Sequence, residues 1–369
     1  MQAALSLNLD SALLRTSMPL LQAGEVDAVE WSFDAMGHLS EIPTWWTDLL
    51  DHYGKAGRLV GHGVFFSLFD GRWRPEQDAW LSMLQSVQKR FGLQHVTEHF
   101  GFMSGADFHK GAPLSVPMTA RTLRLGHDRL ARLQDAAGCP VGLENLALAY
   151  SATDVARQGE FLQQLVEPTD GFIILDLHNL YCQAHNFDVD PLLLIHRYPL
   201  DRVLEFHISG GSWEASVEEP GRTIRRDTHD GRVPEEVFGL LEAAIALCPQ
   251  AKVCVFEQMS TSLVTKDDGE GFRSDFRRMR ALLPDAGFEG PLYDERAVLT
   301  NIGLSPKPLE DEQLFAEQRH LVDALATADT VSAAQTSFRE SGLDKGEWQT
   351  DTWDCAMVET AMRIVKKWA

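Results

Sequence analysis

Carboxylates and imidazoles recur at the ends of short apolar runs along this chain. His62 stands in GHG, Glu98 and His99 in TEHFGF, Glu144 with Asn145 in LENL, Asp176 in LDLHN, His207 in FHISGG and Glu257 in FEQM. Between the last two, RRDTHDGRVPEE adds Asp227 and His229, two residues apart and so on one side of an extended segment. Taken singly, each has an ordinary explanation, since a lone buried histidine is more often a hydrogen-bonded core residue than a ligand. Glu144 and Glu257 are harder to dismiss. An isolated carboxylate inside an apolar run costs several kcal/mol unless a cation or an arginine offsets it. Mixed oxygen and nitrogen donors suit iron, manganese or zinc better than calcium or magnesium. The set His62, His99, Glu144, Asp176, His207, Asp227, His229 and Glu257 is larger than one ion needs, so two or three metals fit it.

Such a set does chemistry only if the fold brings it to one place. Apolar, β-branched runs occur at residues 4–9, 26–31, 58–64, 95–100, 140–145, 172–177, 203–209 and 252–258, giving eight candidate strands. Between them lie segments with helical spacing and helix punctuation. PTWWTDLLDHYGKAG and RPEQDAWLSMLQSVQKRFG each start near proline and end at glycine, and VPEEVFGLLEAAIALCP has acids in its first turn and proline after its last. Strands recur about every 30 residues, the size of one unit of a barrel of about 250 residues. The pattern predicts an α/β fold, a closed (β/α)8 TIM barrel. In that fold the chemistry sits at the C-terminal ends of the strands, where these side chains stand.

Composition excludes several classes. The formal charge of −21, from 33 Lys+Arg against 54 Asp+Glu, argues against nucleic acid as a partner. The five cysteines are scattered and form no C-x-x-C pair, so neither a disulfide framework nor a zinc ribbon is expected and a reducing cytoplasm fits. The N-terminal segment has no basic start and is interrupted by Asp10 and Arg15, and no stretch reaches the length of a membrane span, so a soluble, unprocessed chain is expected.

The motifs GHGVFFSL, TEHFGF, LENLA, LDLHNLYCQAHN, FHISGG, DTHDGRVPEEVF and FEQM, in this order and spacing, resemble the multinuclear non-heme iron-dependent oxidative enzymes, relatives of the methanobactin-forming and thiaglutamate-pathway oxidases. The resemblance covers roughly residues 1 to 285 and implies a xylose-isomerase-like barrel. It further implies two or three iron ions in a mixed Fe(II)/Fe(III) state and dioxygen as co-substrate. The implied substrate is a residue, most often cysteine, of a ribosomally synthesised precursor peptide. Carried over by position, the iron ligands are His62, His99, Glu144, Asp176, His207, Asp227, His229 and Glu257. Many members have two asparagines after the strand-six aspartate where this chain has His178 and Asn179, which leaves His178 an extra ligand, a support for a ligand or a substrate contact. Asn145, Asn179 and Asp230 are candidates for orienting the imidazoles, Glu30 and Glu98 for supporting the ligands, and Cys182 reads as a small buried thiol. His178, Asn179 and Asp230 are accordingly the expected catalytic residues.

The barrel is expected over residues 1–288, followed by a linker and a C-terminal helical extension over 289–369. Two or three amphipathic helices are expected there, packed on the outside of the barrel or forming a surface for a small peptide-recognition partner of the kind that peptide-modifying relatives use. Two competing readings are a divalent-metal isomerase or hydrolase on the same barrel, and a metal- or peptide-binding protein without turnover.

Overall fold

The computed structural model describes residues 1–35, 42–105, 107–284, 290–293, 299 and 303–368. Eight parallel strands close into a barrel in chain order: β1 (Gln2–Leu7), β2 (Ala28–Trp31), β3 (Leu59–His62), β4 (Val96–His99), β5 (Val141–Glu144), β6 (Phe172–Asp176), β7 (Val203–Ile208) and β8 (Val253–Phe256). Pairing of β1 with β8, from Gln2 with Val253 to Leu5 with Phe256, closes the ring. The expected TIM barrel is therefore present, its strands starting or ending a few residues from the apolar runs that mark them. Helices α1 (Ser11–Gln22), α2 (Thr44–Lys55), α3 (Pro75–Phe91), α4 (Ala120–Ala137), α5 (Ala152–Val166), α6 (Leu177–Asn186), α7 (Pro191–Ile195), α8 (Glu235–Leu247) and α9 (Lys266–Leu282) surround it. Their limits follow local chemistry. Asp10 and Ser151 cap α1 and α5 by accepting from backbone N–H groups, and Gly92 and Gly138 end α3 and α4 in the left-handed conformation.

Side chains of alternate strand residues fill the barrel in layers. At the N-terminal end Ala4, Ala28, Val60, Val253 and Val255 pack against Leu292. The segment carrying Leu292 is held under the barrel by the Leu292 N–H, which donates to Gly57 O at 2.8 Å. Two residues further along the same strand faces come Glu30, His62 and Glu257, so the apolar floor gives way to a polar upper layer.

Two short hairpins stand outside the barrel, one pairing Phe102–Met103 with Pro113–Leu114 and one pairing Trp213–Ala215 with Thr223–Arg225. The second lies between β7 and α8 and feeds directly into Asp227 and His229. After the barrel come α10 (Glu312–Thr327), α11 (Val331–Glu340) and α12 (Cys355–Trp368). Their apolar faces are buried within this chain, against loops that follow strands rather than against the outer helices alone. Gln318 of α10 bridges Gly71 N and Phe69 O in the loop after β3, and Trp353 stacks on Tyr150 in the loop after β5 at 3.7 Å between ring centroids. Glu359 of α12 accepts from Ser216 Oγ and from the N–H groups of Val217 and Glu218 at the turn of the second hairpin. The fully buried Arg129 of α4 donates to Leu309 O, fastening the stretch before α10. The boundary expected at 288/289 lies outside the described residues. Among the described residues no helix is long and apolar enough to cross a membrane.

Candidate metal centre

The barrel aligns the strand-end residues by register. Glu144 pairs across to His99, and Asp176 to His207. The second pairing depends on an irregularity: Ile173 faces Val203 but Ile174 faces Glu205, so Leu204 is passed over and Asp176 comes abreast of His207. Glu144 is the meeting point. Its Oε2 lies 3.4 Å from Nε2 of both His62 and His99, and its Oε1 lies 3.9 Å from His207 Nδ1. His207 Nδ1 is 3.3 Å from Glu257 Oε2, which is 3.7 Å from His229 Nδ1, and His229 Nε2 is 2.8 Å from Asp227 Oδ1. All eight sequence-expected ligands thus form one connected cluster at the mouth. Two triads, His62–His99–Glu144 and Glu144–Asp176–His207, offer atoms within 4.8 Å of one another, and Glu144 belongs to both.

Neighbouring side chains set which ring nitrogen faces inward. His99 Nδ1 donates to Gly63 O at 3.3 Å, leaving Nε2 to face Glu144, and His62 Nδ1 is engaged by Thr97 Oγ1 at 2.8 Å. His229 adopts a positive φ of 52°, a conformation unusual for a side chain of its size, in the loop fastened to the end of β8 by Met259 N donating to its carbonyl. The glycines of FHISGG make room for that loop. A Cβ on Gly210 would lie 2.1 Å from Arg232 O, and one on Gly211 2.1 Å from Arg226 O.

The supporting residues differ in part from expectation. Asn145 clamps the Asp176 backbone, accepting from its N–H at 2.7 Å and donating to its carbonyl at 3.1 Å. Asn179 donates to Glu144 Oε1 at 3.1 Å, and its N–H donates to Asp176 Oδ1 at 2.6 Å, the N-cap of α6. Both asparagines therefore brace carboxylates and backbone rather than imidazoles. Asp230 is exposed and accepts from Thr228 Oγ1, so it is not brought against an imidazole. His178 is fully buried with both ring nitrogens engaged: Nε2 accepts from Arg225 Nε at 3.0 Å, which places the hydrogen on Nδ1, 3.0 Å from Asp227 Oδ1. That geometry makes it a support for Asp227 rather than an additional ligand. Cys182 is buried, as expected, and burial pushes its thiol well above the ordinary range. Sequence reasoning passed over Glu205, which is fully buried with Oε1 3.0 Å from His207 Nε2, although it stands two residues before His207 on the same inward face. Glu30, with Oε2 3.1 Å from the same nitrogen, is also fully buried.

The electrostatics of the cluster are divided: against the effect of burial, the adjoining imidazoles hold Glu257, Asp227 and Glu205 well below the usual carboxylate range, while other carboxylates are pushed up. Burial, then neighbouring carboxylates, hold Asp176 well above the usual carboxylate range, and burial raises Glu144 and brings Glu30 to about 8. Burial opposes protonation of the imidazoles, yet Glu144 and Glu98 push His99 up to about 9, and the adjoining carboxylates hold His207 and His229 well above their ordinary value. Only His62 among these four imidazoles is driven well down, by burial and by His99 and His207 beside it. Carboxylates that resist ionisation beside imidazoles that retain protons are what a bound cation relieves. Asp176 Oδ2, buried and without a hydrogen-bond partner, is one donor left for it, and His207 Nδ1 faces the Glu257 and Glu144 carboxylates with which it would share an ion. The residues fit a metal centre.

Residues 25–259 match the family described as RiPP precursor modification enzyme MbnB/TglH/ChrH. A UPF0276 protein of Caulobacter vibrioides is 31% identical over 166 residues, covering 45% of this chain and 57% of its own length. The chain thus spans a little over half of that relative. A UPF0276 protein of Rhizorhabdus wittichii is 33% identical over 202 residues, covering 54% and 68% respectively. Among solved structures, the IOLI protein with a bound zinc atom and a xylose isomerase domain-containing protein of Salmonella typhimurium each superpose with a TM-score of 0.50 at 14% identity, covering 76% of this chain and 98% and 97% of theirs. At that identity the likeness is one of fold.

Proposed function

Since the chain belongs to the family of RiPP precursor modification enzymes MbnB/TglH/ChrH, we propose that it is a multinuclear iron- and dioxygen-dependent oxidoreductase that modifies a residue, most simply a cysteine, of a ribosomally synthesised precursor peptide. The observation that carries this reading is the sharing of Glu144 between two donor triads, with the buried Asp176 Oδ2 unpartnered beside it. One carboxylate between two triads suits adjacent ions rather than one. His62, His99 and Glu144 would hold one ion and Glu144, Asp176, His207 and Glu257 a second, with Asp227 and His229 available to a third. Bound iron would supply the one-electron chemistry and dioxygen activation that no side chain in the cluster offers.

The chain itself would bind, orient and exclude water. The His99, Asp227 and His229 side chains keep 21%, 24% and 25% exposure, whereas His62, Glu144 and His207 keep 5% or less, so the substrate would enter on the His99/His229 side. Asn179 and Asn145 would keep the Glu144 and Asp176 carboxylates in place while substrate is exchanged, and His178 would do the same for Asp227. Anaerobic purification followed by elemental mass spectrometry tests the reading. Two or three irons per chain, with dioxygen consumed when a cysteine-bearing peptide encoded beside the gene is added, is the expected result. Stoichiometric zinc or manganese, and no dioxygen consumption after iron reconstitution, would overturn it in favour of an isomerase or hydrolase.

A further inference from the structure

Below the candidate ligands, a line of polar side chains runs down the inside of the barrel to its apolar floor. Glu205 Oε1 is 3.0 Å from His207 Nε2, Glu205 Oε2 is 2.5 Å from His95 Nε2, and His95 Nδ1 is 2.9 Å from Tyr293 Oη. His95, Glu205 and His207 are at most 1% exposed, and the His95 ring is wedged edge-on against Phe172 at 4.9 Å between centroids. Polar groups this deep in a barrel cost stability unless each finds its partner. Here every donor meets an acceptor in one consistent arrangement. A carboxylate only accepts, so both imidazole Nε2 atoms facing Glu205 carry hydrogen, His95 Nδ1 is left as a lone pair, and the Tyr293 hydroxyl donates to it.

We propose that Tyr293, His95 and Glu205 are positioning residues that lock His207 in the tautomer and orientation presenting Nδ1 to the metal centre. The inference rests on the metal reading given above. A carboxylate behind a ligating imidazole fixes the ring and raises its basicity, and loss of such a partner typically weakens metal binding 10–100-fold. Glu30 Oε2 lies 3.1 Å from the same His207 nitrogen but makes no hydrogen bond to it, so Glu205 is the orienting acceptor. The line gives a role to Tyr293, which comes from the segment that closes the barrel floor and lies beyond the family match at 25–259. A residue at the opposite end of the barrel from substrate would thereby tune the centre.

Cobalt(II) titration of the metal-free full chain tests this, with binding affinity and the ligand-field absorption bands as readouts that need no turnover. Glu205→Gln keeps the shape and removes the charge; about a 10–100-fold loss of affinity with shifted bands is expected. Tyr293→Phe removes only a hydroxyl far from the ions, so the fold is retained, and a smaller loss with bands shifted in the same direction is expected. The double variant should be no weaker than Glu205→Gln alone, because Tyr293 acts through Glu205. Wild-type affinity and bands in both single variants, or losses that multiply in the double variant, would overturn the proposal. Failure of the unmodified chain to bind cobalt would instead sink the metal reading and this inference with it.

Discussion

Replacing Glu30 by glutamine in the metal-free protein should stabilise it, and by an amount that grows with pH. Glu30 is fully buried on β2, neither carboxylate oxygen makes a hydrogen bond, and burial lifts its pKa from 4.5 to about 8 against the pull of His207. Between those values the folded chain carries a proton that the unfolded chain has released. Stability therefore falls as pH rises through the window, which is the sign for an acid whose folded pKa is raised. The cost grows by about 1.4 kcal/mol per pH unit above 4.5 and levels off near the folded value, reaching about 3 kcal/mol at pH 7 and about 4 kcal/mol at pH 8. Glutamine is nearly isosteric and cannot ionise, so it removes the slope while leaving the packing. Urea unfolding of the full chain after chelation, wild type beside Glu30→Gln at several values between pH 5.5 and 8, reads the difference directly. The gap should widen steadily with pH and be smallest at pH 5.5. Unfolding curves that stay equally spaced across the window would show that Glu30 does not carry this cost.

Three further outcomes follow from the cluster. Glu144→Gln should lower metal content by more than one ion per chain, because the carboxylate belongs to both triads; elemental analysis showing loss of a single ion would separate the two. His178→Asn should leave the number of ions at saturating metal unchanged while weakening binding on the Asp227 side by about 10-fold, since a support rather than a ligand is lost; loss of a whole ion at saturation would make His178 a ligand after all. Gly211→Ala should displace the loop carrying Asp227, its new Cβ falling 2.1 Å from Arg226 O; metal content and turnover should fall together while circular dichroism stays that of the folded barrel, and an unaffected centre would show that the loop can yield.

The barrel was legible because its strands are buried on both faces and so read as apolar runs, and the candidate cluster because strand ends are where that run must stop. The helix limits were written in proline, glycine and capping residues, as in α2, which follows Pro43 and ends before Gly57. What could not be read is what depends on contacts between distant segments. Glu205 and His95 look like ordinary charged and polar strand residues until the closed barrel sets them side by side, and Tyr293, 198 residues from His95, stands in a stretch that reads as a linker. The ribbon Trp213–Arg225 leaves no mark in the sequence because its strands are only three residues each and alternate weakly. The roles of Asn145, Asn179 and Asp230 were assigned by adjacency, and adjacency in sequence is a poor guide once the chain turns: two of them brace carboxylates and the third faces solvent.

The way Leu292 seats under Ala4, Ala28, Val60, Val253 and Val255 bears on how the protein can be dissected. A shortened version that stops after α9, at the point where the last barrel helix ends, would carry every candidate ligand and all eight strands. It would nonetheless expose an apolar floor of alanine and valine side chains to water and strip His95 of its hydroxyl partner. Such a fragment invites association through that opened end, so a minimal unit intended for crystallisation or engineering should extend at least through Tyr293.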